Sequence, residues 1–167
     1  IPVRILNSRR ANARGTLITA ERPVSDRPLT AVAAKKGQTV VDITSTRMLM
    51  AHGFLRRLFE VFERHKTPVD VVTTSEVSVS VTVDDRRRLP AIVEALSEFA
   101  EVSLEHDMAI VCAVGEGLNT EPRLVARVFD AVGDVPVKLL SQAATRRNIT
   151  FVIREADVPL VLGRDKS

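Results

Sequence analysis

The sequence has no tryptophan and no tyrosine, and its six phenylalanines are its whole aromatic content. Proteins that hold single-stranded nucleic acid stack bases on aromatic side chains, so that mode of binding has little to work with here. One cysteine, Cys112, excludes a disulfide within the chain. Its place in the apolar run MAIVCAV predicts a buried core thiol, and the cysteine usage fits a reducing compartment, the cytoplasm. His52, His65 and His106 show no metal-ligand spacing and have no cysteine companions, so no metal site is expected. No apolar run reaches the roughly 20 residues that a membrane-spanning helix requires, and no signal peptide is visible. Neither a phosphate-binding Walker loop nor a Ser/His/Asp or Cys/His constellation occurs, so this chain alone is not expected to be a catalyst. The formal charge of +3 is not gathered on one motif. Arg9-Arg10, Arg86 to Arg88 and Arg146-Arg147 lie far apart and read as solvated loops, which argues against a nucleic-acid partner. VGEGLNT, residues 114 to 120, has two glycines of a dinucleotide fingerprint, but Thr120 stands where the third belongs. It reads as a strand-to-helix loop.

What the chain does contain is a repeat. VFERHKTPVDVV, residues 61 to 72, resembles VFDAVGDVPVKLL, residues 128 to 140, and each piece ends a helix and begins a strand. In the first copy Leu55, Leu58, Phe59 and Phe62 recur at three- and four-residue spacing, and in the second Leu124, Val125, Val128, Phe129 and Val132 do so. Thr120 is the expected N-cap of the second helix, Pro122 suits its first turn and Gly133 its stop. Apolar strands precede the helices, TVVDIT at 39 to 44 and MAIVCAV at 108 to 114. Two more strands follow each helix, at 69 to 73 and 77 to 83 in the first copy, and at 137 to 140 and 149 to 153 in the second. A helix over 89 to 99 and the strand EVSLE complete the first copy. The order is strand, helix, strand, strand, helix, strand, which predicts an α+β fold of two ferredoxin-like units in tandem. The second copy ends with room for only a short helix. If LTAVAAKK, residues 29 to 36, supplies its missing strand, the first unit is inserted within the second. Residues 1 to 28 fit neither unit: IPVRILNS reads as a strand, and RRANARGTLIT as a loop leading to another.

Three segments carry a resemblance: IPVRILNSRRANARGTLIT at the start, MLMAHGFLRRLFEVFERH at 48 to 65, and PVDVVTTSEVSVSVTVD at 68 to 84. On these the chain resembles the regulatory region of aspartate kinases, aspartokinases of the lysine-sensitive type, with two ACT domains in tandem. The resemblance implies that residues 1–28 are the tail of a kinase domain. It implies a first, ligand-binding ACT domain at 38–105 and a second, structural one formed by 29–37 plus 106–167. The chain would be cut from a longer enzyme, as its first residue, Ile1, also suggests. ATP and Mg would belong to that enzyme's kinase domain and no cofactor to this fragment. The partners implied are a free amino acid, most naturally L-lysine, and a second copy paired through ACT domains. Carried over residue by residue, the pocket comprises Met48, Ala51, Gly53, Phe54 and Leu55 from the helix start. Val69, Asp70, Thr74, Ser75 and Glu76 complete it from the following strands. Ala51 stands where lysine-sensitive relatives carry a hydroxyl, and Pro68 is a second departure.

The chemistry of a zwitterionic ligand agrees with these positions. Its carboxylate wants backbone N–H groups at a helix start, and AHGFL offers one, with Gly53 permitting close approach. Its ammonium groups want the oxygens of Asp70, Thr74, Ser75 and Glu76, and an aliphatic stem wants Met48 and Val69. In the second copy Asp70 corresponds to Lys138, Ser75 to Ala143 and Glu76 to Ala144. That copy has a cation where a lysine site needs an anion, so it is not expected to bind lysine in the same way. Plainer readings stand beside these. Thr73 to Glu76 can be a hairpin turn, Asp70 an exposed strand residue and Met48 a core residue. A ligand-independent dimerisation module and a threonine sensor are the alternative functions.

Overall fold

The computed structural model describes residues 3–5, 16–18, 29–46, 52–115, 118, 120–142 and 148–164. Near the N-terminus β1 (Val3–Ile5) pairs antiparallel with β2 (Thr16–Ile18), with Val3 opposite Ile18. The other described residues form one six-stranded antiparallel sheet and four helices. In chain order these are β3 (Leu29–Thr44), α1 (Phe54–Arg64), β4 (Val72–Thr74), β5 (Ser78–Val83), α2 (Leu89–Ser97) and β6 (Glu101–Gly115). They continue with α3 (Pro122–Val132), β7 (Leu139–Gln142), β8 (Asn148–Arg154) and α4 (Val158–Arg164), a short 3-10 turn preceding α4.

The two long strands explain how two units share one sheet. β3 has 16 residues and β6 has 15, well above the usual five or six. Their register breaks near Leu29 and then twice at the middle: Lys35 faces Ile110 and Gln38 faces Met108, then Val40 faces Glu105. At the two central breaks the extra residue lies on β3, beside Gly37 with φ 75°, and then on β6, beside Asp107 with φ 57°. Such bulges bend and twist a ribbon without ending it, and glycine and aspartate are residues that tolerate positive φ. The sheet order is β4-β5-β3-β6-β8-β7. Each run of four, β4-β5-β3-β6 and β3-β6-β8-β7, has the strand order of a ferredoxin-like unit. In the second run the closing strand is the first half of β3, so the first unit is inserted within the second, as the sequence led us to expect.

Each unit covers one sheet face with its helices. Val41, Ile43, Val79, Val81 and Val83 pack on Phe54, Leu58, Phe62 and Ile92 in the first unit. Ala109, Val111, Phe151 and Ile153 pack with Val128, Val132 and Val158 in the second. A third buried cluster, of Val40, Val71, Met108, Ile110, Leu139 and Val152, joins residues of both units. These residues alternate with the helix-facing ones, so they project from the opposite face. The edge strands β4 and β7 also come close to each other. The sheet therefore curls on itself, with its own apolar layer inside and the helices outside.

Several details differ from the sequence reading. The buried face of α1 is Phe54, Leu58, Val61 and Phe62, whereas Leu55 is 41% exposed. In α3, Leu124, Val128 and Val132 are buried while Phe129 is exposed. The N-cap of α3 is Glu121 in an extended conformation, not Thr120, while Pro122 and Gly133 hold the expected positions. β4 begins at Val72 rather than Val69; before it Asp70 and Val71 both bond to Thr82, the Val71 N–H to its hydroxyl at 2.9 Å, so regular pairing gives way to an irregular contact. Cys112 is half-buried on the face away from the helices, its Sγ 3.6 Å from both Asn148 Nδ2 and Thr150 Oγ1. Of VGEGLNT, Glu116, Gly117 and Asn119 lie outside the described residues, as do both arginine pairs.

At the junction of the units Gln38 is fully buried, and neither Nε2 nor Oε1 has a hydrogen-bond partner among the described residues. A buried amide without partners carries its desolvation cost uncompensated, about 1–3 kcal/mol. Gln38→Met, close in shape and without that cost, is expected to raise stability by about 1–2 kcal/mol. Urea denaturation checks this, with the midpoint moving up and the slope unchanged.

Candidate functional site

The site starts from the end of β3. The Ser45 N–H donates to the Val77 carbonyl at 2.8 Å, which places the β4-β5 turn beside the chain leaving β3. The Ser45 hydroxyl donates to the Phe99 carbonyl at 3.3 Å, and the Phe99 ring meets Phe54 edge-on, centroids 5.8 Å apart. The beginning of α1 and the Thr74–Glu76 turn therefore lie at the same end of the first unit. Gly53 caps α1 with φ 81°, a conformation that side chains rarely adopt, and a Cβ there would meet nothing within 4 Å. Among the described residues no side chain caps this helix start, and its first turn has no acidic residue. The leading N–H groups of a helix have no partner within the helix and favour an anion.

The turn opposite is a tight one. The Ser75 N–H donates to the Ser78 carbonyl at 2.8 Å, the Ser78 N–H donates to Ser75 Oγ at 3.1 Å, and the two hydroxyls are 2.6 Å apart. The plain hairpin reading thus describes Ser75 correctly, since its hydroxyl builds the turn. Thr74 and Glu76 are exposed, and Glu76 makes no ion pair among the described residues. Leu55 is exposed too, whereas Phe54 is core, 8% exposed. Val69 is half-buried against the helix-side core. Met48 and Ala51 lie outside the described residues.

Asp70 lies two residues before β4. Four residue steps separate it from Thr74, roughly 13 Å at about 3.3 Å per residue of extended chain. One copy of the chain therefore does not bring Asp70 together with Gly53 and Glu76. Its backbone N–H donates to the Thr82 carbonyl at 3.0 Å. Its carboxylate accepts from the Lys35 ammonium at 2.5 Å, and the same ammonium lies 2.9 Å from Asp84. The hydrogen bond to Asp70, and then that to Asp84, raise the Lys35 pKa above the usual lysine value. Sequence reasoning missed Lys35 and Asp84. They stand 35 and 14 positions from Asp70, and no local pattern joins them.

The repeat correspondence between Asp70 and Lys138 has a structural counterpart. The Lys138 N–H donates to the Val152 carbonyl at 2.8 Å, as Asp70 does to Thr82, and the residues that follow, Val71 and Leu139, share one buried cluster. Lys138 contacts Glu105 at 2.8 Å and Asp42 at 3.5 Å. The hydrogen bond to Glu105 leads in raising its pKa above the usual lysine value. Two ion-pair clusters thus bridge the units, each a lysine held by two acids, but the corresponding position carries the acid Asp70 in one and the cation Lys138 in the other. In both, the cation comes from the second unit and the acids from the first.

A separate groove of about 450 Å³ runs between α1 and α2, lined by Arg56, Arg57, Arg64, Glu60, Glu98 and Phe99 among others. Arg57 lies 4.1 Å over the Phe99 ring and Arg56 pairs with Glu60 at 2.8 Å. Of the candidate residues it includes Gly53 alone. No group of three or more His, Cys, Asp or Glu among the described residues is placed to hold a metal ion. No helix among them is long and apolar enough to cross a membrane.

Two ferredoxin-like units sharing a sheet, with helices outside and a glycine-led helix start beside an exposed turn, define a regulatory module of the ACT class. Residues 111–163 match the model of the ACT domain family. The chain is 40% identical to the C-terminal regulatory domain of aspartate kinase from Porphyromonas gingivalis W83, covering 80% of this chain and 92% of that one with a TM-score of 0.71. It belongs to the aspartate kinase family, in the ACT-domain regulatory region. Aspartokinase 1 of Arabidopsis thaliana, a chloroplastic protein, is 38% identical over 168 residues, 94% of this chain and 29% of the relative. E. coli aspartokinase III, solved in its T-state with lysine and aspartate, aligns over 96% of this chain and 37% of its own, with 29% identity and a TM-score of 0.84. The chain spans about three tenths of the length of the Arabidopsis relative.

Proposed function

We propose that this chain is the feedback sensor of an aspartate kinase, an enzyme that uses ATP and Mg to phosphorylate L-aspartate on its side-chain carboxylate in the cytoplasm, and that its effector is L-lysine. On this reading residues 1–28 join the catalytic part, 38–105 form the sensing domain, and 29–37 plus 106–167 form the structural one. The observation that carries it is the juxtaposition of the uncapped α1 start at Gly53 with the exposed Thr74 to Glu76 turn. A carboxylate fits the first and an ammonium group the second. The likeness to an aspartokinase solved with lysine supports the choice of ligand.

The distance between Asp70 and that juxtaposition calls for a second copy. β4 is an edge strand, so its outer N–H and C=O groups are free to pair. Antiparallel pairing of two β4 strands about a twofold axis through Thr73 sets Asp70 of one copy opposite the partner's Glu76. The exposed Leu55 and Val72 would then be covered. A complete site of acids, helix start and turn arises only in this homodimer.

Thermal unfolding with lysine, threonine, methionine or S-adenosylmethionine tests the reading. At about a hundred times its dissociation constant, lysine is expected to add about 2.7 kcal/mol. For a chain of this size that raises Tm by roughly 5–10 °C. A shift with threonine in place of lysine would change the effector. Silence to all four in a stable dimer would make the module a structural one.

A further inference from the structure

The Lys35 ammonium already holds the carboxylate that the sensor reading assigns to an effector ammonium. It is 2.5 Å from Asp70 and has a second acid, Asp84, at 2.9 Å. The three side chains are only partly buried, with exposures of 48%, 34% and 43%. A new cation therefore has access to Asp70, and Lys35 has room to move. We propose that Lys35 is a built-in competitor at the effector site: an incoming ammonium group displaces it from Asp70, and Asp84 retains it afterwards. The inference rests on the reading of Asp70 as a ligand-binding carboxylate.

Three observations support the exchange. The first is chemical: Lys35 presents to Asp70 the same primary ammonium on an aliphatic stem that free lysine carries, so the two compete for one acceptor. The second is that Lys35 can leave at small cost. One carboxylate lost is compensated by one kept, and exposed ion pairs contribute little individually. The third is topological. Lys35 lies in the part of β3 that pairs with Ile110 and closes the second unit, whereas Asp70 and Asp84 flank β4 and β5 of the first. Releasing Lys35 from Asp70 while Asp84 keeps it changes a contact between the units, so occupancy of the site is felt at their junction. In the cluster around Lys138 the position corresponding to Asp70 is the cation itself, held by Glu105 and Asp42, so no acid stands there for an incoming ammonium group.

Calorimetric titration of the 167-residue chain with L-lysine tests this, using Lys35→Met, Asp84→Asn, their double variant and Lys36→Met. Lys36 is exposed, and its substitution removes a neighbouring positive charge as a control for long-range effects. Lys35→Met is expected to tighten lysine binding at least fivefold and Lys36→Met less than twofold. Asp84→Asn is expected to weaken it at least threefold by leaving Lys35 with Asp70 alone. In the Lys35→Met background, Asp84→Asn should change affinity less than twofold, because there is no competitor left to retain. Lys35→Gln repeats the measurement with a polar replacement, and a melting curve for each variant confirms that it is folded.

Equal effects of Lys35→Met and Lys36→Met, or an Asp84→Asn effect undiminished in the double variant, would overturn the exchange while leaving the sensor reading intact. No binding by the folded wild-type chain or by any variant would overturn both. Binding that appears only when Lys35 is removed would support the competitor in its strongest form.

Discussion

Replacing Phe151 by alanine is expected to lower the stability of the chain by about 4 kcal/mol, within the range for a buried phenylalanine truncated to alanine. Phe151 is at the centre of β8, 2% exposed, and belongs to the apolar cluster between the second half of the sheet and α3 and α4. Its backbone registers with Val111 on one side and Leu140 on the other, so its ring is held by an inner strand of the sheet. The strand cannot shift to fill the space without breaking two ladders. Much of the cavity therefore persists, which places the cost toward the upper part of that range. At this chain length the loss corresponds to a fall in Tm of roughly 8–16 °C. Scanning calorimetry or circular dichroism reads it directly. A fall of under about 2 °C would mean that the second unit contributes little to the cooperative fold. Since β3 and β6 run through both units, we expect one transition and no separate early melting of the second unit.

Much of the fold was legible because two periodicities are clean. Val79, Val81 and Val83 alternate with serine and threonine, and they do face the helices. The repeated helix-to-strand passage showed that there are two units, and the shortage of strands after Ile153 pointed back to residues 29 to 36. What failed were choices between equals. Leu55, Leu58 and Phe62 make an apolar stripe as regular as Phe54, Leu58 and Phe62 do. The ring of Phe99, 45 positions away from Phe54, decides in favour of the second. Gly37 looks like a strand end, but its positive φ forms a bulge through which β3 continues. The onset of β4 follows an irregular contact of Asp70 and Val71 with Thr82 across the ladder.

The candidate site was legible in part, for a related reason. The glycine-led helix start and the Thr74 to Glu76 turn are each local motifs, and their meeting follows from the order of the elements. The separation of Asp70 from both is a property of strand direction, which sequence spacing hides. Asp70 and Thr74 look close in sequence, but Asp70 precedes β4 and Thr74 ends it. Lys35 and Asp84 are invisible for another reason. A charged side chain on a partly exposed strand is ordinary, and only the three-dimensional pairing gives it a role. The same holds for Lys138: the sequence shows an acid lost, and the structure shows a cation held by Glu105 and Asp42.

Asp70→Asn is expected to weaken L-lysine binding at least thirtyfold, equivalent to about 2 kcal/mol, while leaving the fold almost unchanged. The two halves of this prediction come from different physics. For the fold, the Lys35–Asp70 contact is a partly exposed ion pair, and such pairs contribute about 0–1 kcal/mol. Lys35 also keeps Asp84. The backbone bond from the Asp70 N–H to Thr82 does not depend on the side chain. The melting temperature should therefore move by no more than about 3 °C. For the ligand, removing one member of a hydrogen-bonded charge pair that binding would bury costs about 2–5 kcal/mol. Asparagine keeps the shape and one acceptor oxygen, so the loss isolates the charge. Threonine supplies the contrast, since it has no side-chain ammonium. If Asp70 meets the side-chain ammonium of lysine, threonine affinity will respond far less than lysine affinity. Equal loss for both ligands would place the α-ammonium at Asp70 instead. Lysine affinity unchanged in a folded Asp70→Asn chain would remove Asp70 from the site and leave it as the acid that holds Lys35.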